Sequence, residues 1–177
     1  MKQTEPDIIR VSDTDITFEQ IYSKKYIPLE YIDEIKKANL LIIPNENFRD
    51  EGDILFPETT RELFDYIRDH IDDDSIVADI AVSDEDFKRI ELHSAVIDVA
   101  KVIVTSGILP IATSMIASFL FELVRKHRRR PEDTSAKVTI ITEETRSKKS
   151  KVITYEGPVS GIEDALKQAS KDLFSNE

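Results

Sequence analysis

The stretch VIVTSGILPIATSMIASFLFELVRKHRRR, residues Val102 to Arg130, constrains this chain more than any other. Its first twenty residues, Val102 to Phe121, carry no charge, thirteen of them are apolar, and a basic cluster follows after Glu122. As a helix, twenty residues rise about 30 Å, enough to cross a hydrocarbon core. The same run also suits the central helix of a water-soluble domain. Orientation argues against the membrane: the positive-inside rule would keep Arg125, Lys126, Arg128, Arg129 and Arg130 cytoplasmic. A long acidic segment would then have to cross without the apolar h-region of a signal, which MKQTEPDIIRVSDTD does not contain. Gly107, Pro110, Ser114, Ser118, Glu122 and Arg125 fall near one helical stripe, a small and polar side suited to contact with protein. We therefore read a core or interface helix of a cytoplasmic protein. Membrane association through Val102 to Phe121 is the alternative. On this reading Asp98 and Lys101 extend the helix upstream, Pro110 kinks or divides it, and Ser114, Ser118, Glu122, Arg125, Arg128 and Arg129 form its binding side.

Around that run the pattern is mixed α and β, expected to build a small mixed sheet packed by helices within a single domain of 177 residues, with residues 1–56 and 57–177 as a possible subdivision. Asp7 to Val11, Leu40 to Ile43, Ile76 to Val82, Val138 to Thr142 and Lys151 to Tyr155 read as strands. Capping-box spacings at Thr17 and Gln20, Thr59 and Glu62, and Ser160 and Glu163 predict three helix starts. A short helix is expected after Pro28, and Phe87 to His93 is ambiguous. Leu63, Phe64 and Ile67 are expected to share one core with Ile76, Ile80, Ile140 and Leu166.

Charge and composition narrow the function classes. Residues 1–100 hold 25 acidic against 11 basic side chains, while residues 101–177 hold 10 against 13. An acidic front and a mildly basic back attract each other within one fold or between copies, and a net charge of −11 disfavours nucleic acid. Protein partners, including self-association, are expected instead. The absence of cysteine excludes disulfides, thiolate zinc sites and cysteine nucleophiles. Four glycines, with neither GxGxxG nor GxxxxGK[ST], leave no phosphate-cradling loop.

Catalytic constellations are sparse. Asp13-Thr14-Asp15-Ile16-Thr17 follows a strand and resembles the nucleophile motif of haloacid-dehalogenase-like phosphatases, with VIVTSG resembling that family's second motif. No paired-acid motif follows to hold magnesium, and the same residues suit a turn and helix cap. Asp79 with Glu91 and His93 is a nuclease-like alternative, and Asp72 to Asp74 suits a solvated helix end or a weak calcium site. His70, His93 and His127 lack zinc-ligand spacing. No metal or cofactor is expected.

From Glu62 onward the order is an amphipathic helix containing ELFDYIRD, a strand IVADIAV, the long apolar helix ending FELVRKHRRR, the strands KVTIITEE and KVITYEG, and a helix IEDALKQA. This order resembles the effector-associated constant components of bacterial conflict and defence systems. The resemblance implies a non-enzymatic accessory role, coupling to or assembling with an effector. A metal-dependent phosphatase or nuclease and a membrane-anchored accessory protein are the competing readings.

Overall fold

The computed structural model describes residues 8–48, 53–71, 75–83, 87, 89–90, 95–171 and 173. Strands β1 (Ile8–Thr14), β2 (Leu40–Ile43), β5 (Ala78–Ile80), β7 (Val96–Asp98), β8 (Lys101–Thr105), β9 (Ser135–Glu143) and β10 (Ser150–Pro158) form one mixed sheet in the order β1-β10-β9-β8-β2-β5. β7 pairs with β9 just before β8 takes over the same edge, so β7 and β8 act as one interrupted strand. A second, three-stranded sheet joins β3 (Asn45–Phe48), β4 (Asp53–Pro57) and β6 (Arg89–Ile90). The main sheet draws β1 and β2 from before position 56 and its other strands from after it.

Helices cover both faces. Val102, Val104, Val138, Ile140, Ile153 and Tyr155 face a core completed by α3 (Thr60–Asp69), α4 (Leu109–Lys126) and α5 (Ile162–Ser170). Leu41, Ile43, Ile103 and Ile141 face a second core with α1 (Phe18–Tyr22) and α2 (Ile32–Ile35). The expected class, α/β with a mixed sheet packed by helices, is what forms. Leu63, Ile67, Ile76, Ile80, Ile140 and Leu166 do share one core, with Phe64 packed against it.

The uncharged run divides where helix was expected. Lys101–Thr105 is a strand whose Val102, Ile103 and Val104 are buried, Ser106–Ile108 is a 3₁₀ turn, and only from Leu109 does the α-helix run. Pro110 sits in the first turn, where its missing N–H is not needed, so it starts α4 rather than kinking it. Asp98 and Lys101 accordingly lie on consecutive strands rather than one turn apart on a helix. A strand buried on both faces has no polar alternation, which is why it reads like the beginning of an apolar helix. By length and composition Ser106–Lys126 could still cross a membrane, yet ten of α4's residues are buried within this chain.

The caps vary. Thr17 caps α1, its Oγ1 accepting from the Gln20 N–H at 3.1 Å. At α3 the box does not close: Thr59 Oγ1 donates instead to the Asp98 carbonyl at 3.3 Å, and Thr60 Oγ1 to the Pro57 carbonyl at 2.7 Å. At α5 a 3₁₀ turn over Val159–Gly161 displaces the start to Ile162 and Ser160 caps nothing.

Candidate functional site

α4 presents two different sides. Ala112, Met115, Ile116, Phe119, Leu120 and Leu123 are buried in the larger core, while Ser114, Ser118, Glu122 and Arg125 are exposed on the other side. The expected small and polar stripe therefore exists and is exposed.

The helix ends in a Schellman closure. The Arg128 N–H donates to the Arg125 carbonyl at 3.0 Å and the Arg129 N–H to the Val124 carbonyl at 2.9 Å. That geometry holds Arg128 at a φ of 56°, a left-handed conformation that glycine adopts without strain and arginine does not. The turn bends the chain back, so that Arg125, Arg128 and Arg129 converge with Ser118, Phe121, Glu122, Pro131 and Tyr66 of α3 around an open groove of about 810 Å³. Tyr66 is fixed from behind by ring stacking on His70 at 3.9 Å and by a tilted contact with Phe119 at 5.6 Å. Among the described residues the three arginines make no ion pair, so their guanidinium donors face solvent. Planar, unpaired guanidinium groups beside aromatic rings suit carboxylates and phosphates.

Five of the six residues assigned to binding from the sequence line this groove, namely Ser118, Glu122, Arg125, Arg128 and Arg129; Ser114 lies one turn away, exposed and outside it. Tyr66, Phe121 and Pro131 were missed. Tyr66 stands three residues after Leu63 on the apolar side of α3, which reads as core, and only the crossing of α3 with α4 brings it to the arginines.

A second cleft of about 530 Å³ lies between the start of α3, the end of α4 and β7, lined by Glu58, Glu62, Asp98, His127, Arg129, Lys137 and Glu156 among others. The register places Asp98, Lys137 and Glu156 directly opposite one another on three neighbouring strands, giving an acid-base-acid row. Burial pushes the Asp98 carboxyl above its ordinary pKa; Lys137 and Lys101 oppose the rise and Glu156 adds to it. This cleft is acidic on balance, with Glu58, Glu62, Asp98 and Glu156 against Arg129 and Lys137, whereas the arginine groove is basic, with three arginines against the single Glu122.

Among the described residues the enzyme candidates do not converge. Asp13 stands at the edge of the sheet with its side chain 89% exposed and Lys151 Nζ at 3.9 Å, and Asp15 is exposed beyond the strand's end. Thr105 closes β8, separated from β1 by β9 and β10, so about 14 Å lies between their strands at the usual sheet spacing. Thr14 Oγ1 accepts from the Ile16 N–H at 3.3 Å, so DTDIT builds a turn and cap. Asp79 lies on β5, while Glu91, His93 and Asp72 to Asp74 fall outside the described residues. His70 and His127 are exposed at helix ends, and no group of three metal-ligating side chains occurs among the described residues. Comparison with protein-family models, curated proteins and solved structures found no match.

Proposed function

We propose that this chain is a non-enzymatic protein-interaction module, a cytoplasmic accessory component that docks an acidic segment of a protein partner in the arginine groove at the end of α4. The observation that carries this reading is the convergence of Arg125, Arg128 and Arg129, which make no ion pair among the described residues, on a groove walled by Tyr66 and Phe121 and holding one acid, Glu122. In a chain of net charge −11, three arginines against the single Glu122 at one spot are a local inversion of the field. The left-handed Arg128 supports the same reading: a long cation is held where glycine would be less strained, and such strain concentrates at functional positions. The aromatic walls favour a polypeptide over a simple ion, because extended segments bring apolar side chains along with their carboxylates. An effector of a bacterial defence system is the partner type that the resemblance suggests.

The test compares affinity purification by the wild-type chain and by a variant carrying Arg125→Glu, Arg128→Glu and Arg129→Glu. All three side chains are exposed, so the substitutions leave the core untouched, and circular dichroism checks that the variant keeps the wild-type fold. A specific partner retained by the wild type at low salt, released as salt rises and lost from the variant supports the proposal. Equal retention by both chains sinks it. Recovery of the wild type only in detergent-extracted membranes would favour the membrane-anchored alternative.

A further inference from the structure

β1 is an open edge. It pairs with β10 along its whole length, from Ile8 opposite Glu156 to Thr14 opposite Ser150, without a bulge, and among the described residues no strand pairs with its outer side. Natural edges are blunted by shortness, proline, bulges or lysine, because bare N–H and C=O groups recruit other strands. The opposite edge of the sheet, β5, obeys this with three residues. β1 does so only weakly: its seven residues include the charged Arg10 and Asp13 but no proline or lysine, and Ile8, Ile9 and Val11 are 47%, 37% and 43% exposed.

Going beyond the groove, we infer that β1 pairs antiparallel with β1 of a second copy of this chain, joining two sheets across a two-fold axis perpendicular to them. Self-complementarity selects this occupant. A two-fold pairing that uses the full strand centres on Val11, setting Val11 against its own counterpart, Arg10 against Ser12, Ile9 against Asp13 and Ile8 against Thr14. No like charges stand directly opposite, and the nearest like pair is Arg10 with its own counterpart on the diagonal. The layer above agrees: α5 turns back from β10 over the face that carries Ile9 and Val11, with Glu163 and Asp164 in its first turn, Lys167 in its last and Lys171 just beyond. The two-fold axis sets the two α5 helices antiparallel, so the acidic end of each faces the basic end of the other.

The chain lacks cysteine, which makes the register directly testable. Directly opposed residues in an antiparallel pair have Cα atoms about 4.5–5.5 Å apart, inside the range a disulfide spans. Under mild oxidation Val11→Cys should convert to a covalent dimer, while Leu29→Cys, at an 84% exposed site far from β1 in the chain, should stay monomeric. In sedimentation velocity the wild type should be a dimer, and Val11→Lys should lose it with unchanged circular dichroism. A wild type that sediments as a monomer across its accessible concentration range overturns the inference. So does Val11→Cys cross-linking no faster than Leu29→Cys.

Discussion

At the scale of single residues, the strand core contains a discordant group. Thr142 is fully buried on β9, and its hydroxyl has no hydrogen-bond partner among the described residues. Thr142→Val keeps the β-branched shape and removes the unpaired oxygen, so it should raise unfolding free energy by about 1 kcal/mol. Denaturant titration measures this, and an unchanged or lowered midpoint would mean that the hydroxyl has a partner. Asp98 gives a pH signature. Its carboxyl holds its proton more tightly in the folded state, chiefly through burial, so the fold loses stability as pH rises from the ordinary aspartate range through the raised value. Asp98→Asn should therefore raise the melting temperature at neutral pH, and the gain should fade below the ordinary range, where both states are protonated. A gain independent of pH would contradict this origin. Neither residue was legible in the sequence: Thr142 reads as an ordinary strand position, and Asp98's half-burial follows from a cleft formed by elements far apart in the chain.

At the scale of elements, β2 is legible as a short apolar run ended by Pro44, β9 and β10 as apolar strands joined by a polar turn, and α3 and α5 by their apolar faces, although the caps expected for both helices do not form. The run from Val102 departs from its helical pattern for a physical reason. Burial on both sheet faces erases the two-residue alternation, so β8 merges visually with α4, and only Pro110 marks the join. Two changes probe these elements. Ile80 on β5 is buried in the larger core, so Ile80→Asp should cost several kcal/mol, since an unpaired charge replaces an apolar side chain; unaltered thermal stability would show that β5 is peripheral. At the end of α4, Arg128→Gly should stabilise the fold by about 1 kcal/mol by relieving the left-handed backbone. The same change should weaken partner binding, separating the strain from the function it accompanies.

At the scale of the whole molecule, the sheet organises the proposed surfaces at different places: β1 ends one edge, while α4 crosses one face and delivers its arginines to the groove with Tyr66 of α3. The stripe on α4 was legible as residue spacing. What it faces was not, since that depends on which side of the helix the sheet covers. The central claim is that the arginine groove binds acidic polypeptide despite the chain's overall negative charge. The most direct measurement is fluorescence anisotropy of a labelled, aspartate- and glutamate-rich peptide containing one aromatic residue, titrated with the wild-type chain and with the triple arginine-to-glutamate variant. The account predicts saturable binding to the wild type that weakens as salt rises, and loss of binding in the variant. No binding by the wild type, or equal binding by both, would contradict it.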